Sequence, residues 1–474
     1  MIAGGGRFCA AFDELCRLDD GAVAVFDEAT GRTVSRRELA RLADRARAAI
    51  AGSGGGEGAS TRLVALRIPT SAELVAAVLA CWQDGRIPLL IDAELAPVEA
   101  SAIVRRLGLV RALSGTAFVW ERTGEPTAPV PALSADAAVL KLTSGTTGEP
   151  YAVVVTGEAL EAGLAQIAST MEIGGADRNL VPVPLTHSYG FDSAVLTLAV
   201  LGCPTVLARG LPPGHLLAAG RAARATVLLA VPFLLDVLSR SPSASEALWP
   251  ELRLVVSAGA PLGVDTRERF AARFGIRPRT FYGATECGGI AFDRSGAADL
   301  PEGCVGSPLD GVSIALSDAE DGVGRVLVRS ASVAARYLPQ PGDDPAGPTI
   351  GDGWFLTADL GRLDERGRVH LLGRIDDAIN VGGRKVFPAE VERVIRAIGG
   401  VRDVAVIGID RTGGAAALCA IVVAEPEVDR ARVIGACEAT LARHKVPRAV
   451  EFRAELPRTA RGKLDRRQLD VARA

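Results

Sequence analysis

Leu142-Thr143-Ser144-Gly145-Thr146-Thr147-Gly148-Glu149-Pro150 is the stretch on which the reading of this chain turns. Positions 143–148 hold four hydroxyl side chains and two glycines, shortly after an apolar run at 137–140. Glycines let a backbone turn tightly and bring its N–H groups close to an anion. Hydroxyls add short, adjustable donors to phosphate oxygens. Such a loop suits a nucleoside triphosphate. A solvated Ser/Thr/Gly linker is the other reading of the same residues, and the stretch alone leaves both open. It is not a Walker A loop, because G-x-x-x-x-G-K-[ST] is absent and Tyr151 stands where a lysine would be sought.

Working outward, length and composition bound the answer. At 474 residues the chain exceeds one ordinary domain, so a large domain plus a smaller one is expected. Hydrophobic residues at 48% and charged residues at 23% describe a soluble protein with ample core. A net charge of −3 argues against nucleic acid as a main partner. The eight cysteines form no C-x-x-C pair and read as reduced thiols of a cytoplasmic protein. No apolar run reaches the roughly 18 residues a membrane span needs, and Met1-Ile2-Ala3-Gly4-Gly5-Gly6-Arg7 lacks a signal-peptide apolar region. Of 53 basic residues only four are lysines: Lys141, Lys385, Lys445 and Lys463. A chain so biased toward arginine draws attention to the places where a compact ammonium is kept.

Strand and helix patterns alternate through most of the chain. Helical periodicity at 35–51 precedes a strand pattern at 62–68. A helix at 72–84 then leads to a buried strand at 87–91, and the beat recurs through 227–231, 232–239 and 252–257. Such alternation predicts parallel sheets covered by helices. From Asp352 the texture changes to short strands and turns, with a hairpin expected at 362–369, turning near 365–367. A proline-entered helix at 388–397 and strands at 404–407 and 417–422 follow. The fold expected is α/β: a large N-terminal domain of stacked αβ subdomains, residues 1–375, with a small mobile α+β domain over 376–474.

Five motifs in order resemble one family, the adenylate-forming superfamily of acyl- and aryl-CoA synthetases, peptide-synthetase adenylation domains and luciferases. Thr143-Ser144-Gly145-Thr146-Thr147-Gly148 resembles its phosphate loop. Tyr282-Gly283-Ala284-Thr285-Glu286 is similar to the aromatic-Gly-x-Thr-Glu segment. The resemblance implies that Tyr282 stacks on adenine, Thr285 touches the α-phosphate and Glu286 holds Mg²⁺, a hard cation suited to a carboxylate. Thr357-Ala358-Asp359 resembles the family's Thr-Gly-Asp, whose aspartate accepts from the ribose hydroxyls; Ala358 departs from the usual glycine. Gly373-Arg374-Ile375-Asp376-Asp377 resembles the hinge, with Arg374 reaching ribose or phosphates and Asp376 as pivot. Pro457-Arg458-Thr459-Ala460-Arg461-Gly462-Lys463 resembles the terminal loop that carries the catalytic lysine.

The chemistry implied is attack of a carboxylate on the α-phosphorus of ATP, expelling pyrophosphate, followed by capture of the acyl-adenylate by a thiol. That thiol belongs to CoA or to carrier-protein phosphopantetheine. No serine-bearing carrier motif follows Lys463, so a carrier is expected on a separate chain. Gly382 and Gly383 are candidates for the thiol channel, or else form a plain hairpin turn. Pro184-Leu185-Thr186-His187-Ser188-Tyr189-Gly190-Phe191-Asp192 resembles the segment before the pocket helix, with His187 gating the pocket. Tyr189, Asp192, Ser257, Ala258, Gly259, Gly283, Gly288 and Gly289 complete the candidate acid pocket. Asp192 either pairs with a substrate ammonium or caps the helix after it, and the cap is preferred, implying an acid with no α-amino group. The function expected is therefore an ATP- and Mg²⁺-dependent acid–thiol ligase. A free-standing amino-acid-adenylating enzyme is the alternative within the family. A non-catalytic nucleotide-binding protein is the alternative outside it, favoured only by Tyr151.

Overall fold

The computed structural model describes residues 4–28, 30–52, 62–143, 150–208, 210, 212–241, 248–297, 300–320, 322–338, 348–375, 377–381, 384–409, 417–458, 464 and 466–469. Two compact units divide the chain. The first comprises Met1–Ile314, Val328–Asp344 and Thr349–Phe355; the second comprises Ala315–Leu327, Pro345–Pro348 and Leu356–Ala474.

The expected strand–helix alternation governs the first unit. The helix Arg36–Ala51 starts at a capping box, in which Ser35 Oγ accepts from Glu38 N and Glu38 Oε2 accepts from Ser35 N at 2.8 Å. The helix Ala72–Gln83 is apolar all round and accordingly buried along nearly its whole length. Its Glu73 is paired with Arg32 at 3.0 Å. The strands Leu63–Arg67, Ile87–Leu90 and Ala137–Leu142 run parallel, and Ala152–Thr156 returns antiparallel to Ala137–Leu142. Arg336–Leu338 closes that edge of a seven-stranded sheet.

A second set of parallel strands carries the other half of this unit. Asn179–Val181, Val227–Ala230, Leu254–Ser257 and Arg279–Ala284 pair in that order, and Gly288–Phe292 then returns antiparallel. Loops at the carboxyl ends of parallel strands are where open α/β sheets bind ligands. Here those ends are the segments entered from Ser257 and from Tyr282, the positions singled out by motif.

The second unit is α+β. The strands Trp354–Leu363 and Val369–Arg374 form the expected hairpin. Asp364 orders its turn, accepting from Arg366 N at 3.0 Å, Arg368 N at 2.9 Å and Arg368 Nε at 2.7 Å. Although burial works to raise it, those bonds and one to His370 hold the Asp364 carboxyl far below the usual carboxylate range. Beyond it, Val401–Ile409, Ala417–Ala424 and Ala449–Phe452 make a three-stranded sheet. The helices Pro388–Arg396 and Arg430–Thr440 add Val391, Ile395 and Val433 to a core shared with Val404, Val406 and Leu418. A mixed α/β chain with a large N-terminal and a small C-terminal part is thus present. No described helix is long and apolar enough to cross a membrane. All eight cysteines are free.

Candidate active site

The base of the candidate phosphate loop is closed by two hydrogen bonds between its flanks. Thr143 N donates to Tyr151 O at 2.9 Å, and Tyr151 N donates to Thr143 Oγ1 at 3.1 Å. Both flanks continue as strands in register, Leu142 opposite Ala152, so the sheet itself fixes where the loop leaves and returns. Ser144, Gly145, Thr146, Thr147 and Gly148 lie outside the described residues.

Tyr151 departs from the family pattern, and its ring has a defined place. It packs edge-on against Tyr337, with centroids 5.9 Å apart and planes at 62°. Tyr337 in turn donates its hydroxyl to Glu286 Oε1 at 2.8 Å. The same segment grips the Glu286 backbone: Ala334 N donates to Glu286 O at 2.7 Å, and Ser332 Oγ donates to Cys287 O at 2.7 Å. Glu286 is thereby a buried, oriented carboxylate, linked through Tyr337 to Tyr151 at the flank of the candidate phosphate loop. A carboxylate so held offers hard oxygen to a divalent cation, and the Mg²⁺ assignment fits it. Tyr282, at the end of the parallel strand, is 8% exposed. Gly283 leaves no room for a side chain, since an added Cβ would stand 2.7 Å from Gly288 O. Thr285 lies at intermediate exposure on the turn between Ala284 and Glu286.

Two of the pocket candidates, Tyr189 and Asp192, lie on the helix that follows His187. Helix begins at Ser188 and runs from Phe191 to Leu201 as a π-helix capped at its end by left-handed Gly202. Eleven residues of π-helix is unusual, and π-turns concentrate at functional sites. His187 precedes it, with Nε2 3.7 Å from Asp92 Oδ2. Tyr189 stacks on Phe281, centroids 5.8 Å apart, and donates its hydroxyl to Val256 O at 3.2 Å. Burial pushes this phenol well above its ordinary range, so it stays a neutral donor. Phe281 also lies against Gly289, whose added Cβ would be 3.0 Å from the ring and 2.5 Å from Leu309. Ser257 and Thr280 are opposite one another in the parallel register. Both are buried, and their hydroxyls have no partner among the described residues. Ala258 N donates to Ala230 O at 3.1 Å, and Gly259 takes φ +84°, which a side chain would strain.

Asp192 does not cap the helix. The helix is already under way at Ser188, with His187 at its N-cap, and Asp192 lies inside it. Instead Asp192 Oδ1 accepts from Lys141 Nζ at 2.5 Å, both side chains being almost wholly buried. The ammonium also lies 5.1 Å from the Phe191 ring centroid. Burial pushes the Asp192 carboxyl up, and Lys141 works against that shift. The second oxygen, Oδ2, faces Gly288, 4.0 Å from where a Cβ would stand. Lys141 stands out in the sequence only as a scarce lysine, while Tyr337 and Asp92 carry no local signal at all.

In the second unit, Asp359 and Arg374 are cross-strand neighbours, Arg374 Nη1 lying 3.6 Å from Asp359 Oδ1. Asp359 N donates to Thr357 Oγ1 at 3.0 Å, so the Thr-x-Asp segment is braced internally. Ala358 in place of glycine is buried without strain, its carbonyl accepting from Ile375 N at 2.8 Å. Asp376, Gly382, Gly383 and Lys463 lie outside the described residues.

Known proteins agree with these motifs. The family model for AMP-binding enzymes matches residues 12–338, and that for the AMP-binding enzyme C-terminal domain matches 390–463. The chain is 29% identical to a long-chain-fatty-acid–CoA ligase, FadD13, of Mycobacterium tuberculosis, covering 85% of this chain and 86% of that one. It is 28% identical to a feruloyl-CoA synthase of an Amycolatopsis species, over 94% and 95% of the two chains. Its fold superposes on ATP-bound MatB from Rhodopseudomonas palustris with a TM-score of 0.83, at 26% identity and 98% coverage of both. The chain belongs to the AMP-binding enzymes of the adenylate-forming superfamily and is an ATP-dependent acid–thiol ligase.

Proposed function

We propose that the chain joins a carboxylic acid without an α-amino group to the thiol of CoA, through an acyl-adenylate formed at the site around Glu286. The observation that carries this reading is the linkage Tyr151–Tyr337–Glu286, which ties an oriented carboxylate to the loop flanked by Thr143. In this reading the 143–148 loop cradles the phosphates, Tyr282 and Gly283 bound the adenine, and Thr285 meets the α-phosphate. Asp359 and Arg374 hold the ribose. Glu286 holds Mg²⁺, which neutralises phosphate charge. Lys463 bridges the substrate carboxylate and the α-phosphate, and Asp376 is the pivot of a mobile domain at 376–474 that exposes Gly382 and Gly383 to the thiol. His187, Tyr189, Ser257, Ala258, Gly259, Gly288 and Gly289 bound the acid.

The protein has little covalent work to do: it aligns two anions, excludes water and offsets charge. CoA is favoured as acceptor by the relatives, which are named as CoA ligases. A separate carrier protein is the alternative acceptor, and a cytoplasmic setting suits either. Acid-dependent ATP–pyrophosphate exchange with Mg²⁺ and a panel of aryl, short-chain and medium-chain acids tests the first step. Release of CoA thioester against loading of a phosphopantetheinylated carrier tests the second. Silence across the panel in protein that binds ATP would return the chain to the non-catalytic reading.

Tyr337→Phe isolates the positioning of Glu286, since it removes the hydroxyl and keeps the ring beside Tyr151. A hydrogen bond to a charged group contributes about 1.5–3 kcal/mol. The Mg²⁺ concentration for half-maximal exchange is therefore expected to rise about tenfold or more, with the KM for the acid nearly unchanged. An unaltered Mg²⁺ titration would show that the hydroxyl does not orient the metal ligand.

A further inference from the structure

We propose that Lys141 is an internal stand-in for a substrate ammonium: by occupying Asp192 it sets the acid pocket against amino acids and for acids that carry no α-amino group. This rests on the ligase reading above and names the residues that decide its substrate class. A fully buried ion pair is a poor way to stabilise a core, because apolar residues of the same volume usually serve as well. The pair Lys141–Asp192 is nevertheless almost wholly buried, with Nζ 2.5 Å from Oδ1. Its position supplies a reason. Asp192 is three residues beyond Tyr189, whose ring packs on Phe281, and Phe281 abuts Gly289. The other carboxylate oxygen, Oδ2, lies 4.0 Å from where a Cβ on Gly288 would stand. Asp192 thus stands beside Gly288 on the helix that also carries Tyr189.

The chemistry of the two candidate partners is the same. A lysine ε-ammonium and an amino-acid α-ammonium are both primary ammonium groups with three donors. With Lys141 in place, the carboxylate charge is already offset. An incoming α-ammonium meets a second ammonium of like charge, and a carboxylate whose charge is already offset repays its desolvation poorly. Exclusion by an occupied and like-charged site is discrimination by repulsion, and it needs no contact with the favoured acid. Without Lys141, Asp192 is a buried carboxylate lacking a cation, and an α-ammonium becomes its natural partner.

The test is ATP–pyrophosphate exchange with matched pairs, such as 3-phenylpropanoic acid against phenylalanine and hexanoic acid against 2-aminohexanoic acid. Wild-type protein is expected to favour the unsubstituted acid by about 10²-fold or more. In Lys141→Ala that ratio is expected to move at least about tenfold toward the amino acid. The variant Lys141→Met with Asp192→Leu has no carboxylate to offer and is expected to show no such gain. A second readout does not depend on turnover. Lys141→Ala leaves a gap the length of n-propylammonium, so that ion is expected to raise its melting temperature, or to restore folding if the variant does not fold alone. It should do neither for wild type or the double variant. An active, folded Lys141→Ala whose acid-to-amino-acid ratio is unmoved overturns this inference and leaves the ligase reading standing. Absence of any response to n-propylammonium overturns it equally. A wild-type enzyme silent toward every acid overturns the ligase reading itself.

Discussion

Replacing Lys463 with alanine is expected to lower the rate of acid-dependent adenylation by about 10²–10³-fold, the loss that follows removal of one preorganised charge from a developing oxyanion. ATP binding is expected to persist, because the loop at 143–148, Tyr282, Asp359 and Arg374 are untouched. Capture of a synthetic acyl-adenylate by CoA is likewise expected to persist, since the lysine serves only the first step in this reading. Chemistry and position together assign this role to Lys463. Pro457-Arg458-Thr459-Ala460-Arg461-Gly462-Lys463 is one of only four places where this chain keeps a lysine, and the family's C-terminal model extends to that residue. A movable point charge can sit between a substrate carboxylate and the α-phosphate, whereas a planar, bulkier guanidinium cannot take the same place. Lys463→Arg is therefore expected to recover little of the loss. Rates of exchange and of thioesterification, measured separately on the same preparation, check this; equal exchange in variant and wild type would remove Lys463 from the mechanism.

Much of the frame was legible because it is written locally. The helical pattern from Ser35, the helices that begin at Pro232 and Pro388 and the hairpin turn at 365–367 each follow from residues a few positions apart. The parallel sheets follow from the rhythm those elements make. The ordered motifs marked both the Thr143–Tyr151 flanks and the Tyr282–Glu286 turn. What the sequence withheld is tertiary. Lys141 meets Asp192, and Tyr337 meets Glu286, each across 51 positions of chain. No periodicity or turn signal predicts either meeting. Asp192 also misled for a physical reason. An aspartate before an apolar run has the grammar of an N-cap, but the helix starts earlier, at Ser188, and continues with π geometry. The side chain is carried inside the first turn, where it turns sideways to Lys141. Tyr151 was a departure with no evident purpose in sequence; beside Tyr337 it becomes part of the support for Glu286.

The stability of Lys141→Ala should reveal how the buried pair is held. Removing one partner of a buried ion pair leaves the other charged and unpaired, a loss of about 3–5 kcal/mol. At that size the variant is expected to melt many degrees lower and to unfold at much lower denaturant. The loss should depend on pH with a definite sign. Burial already raises the Asp192 carboxyl above its unfolded value even with Lys141 opposing the shift, and deleting the lysine removes that opposition. In the variant the folded state then binds a proton that the unfolded chain, with an ordinary aspartate near pKa 3.9, releases. Stability must fall as pH rises between those two values and level off above the folded one. The deficit of Lys141→Ala relative to wild type is therefore expected to be larger at pH 7.5 than at pH 5. Asp192→Asn, which removes the titrating group and leaves Lys141 buried, should lack this term. Chemical denaturation of the three proteins at the two pH values measures it. A deficit that is the same at both would mean that Asp192 is not left as a buried charge when its lysine is gone, and that solvent rather than Lys141 supports it.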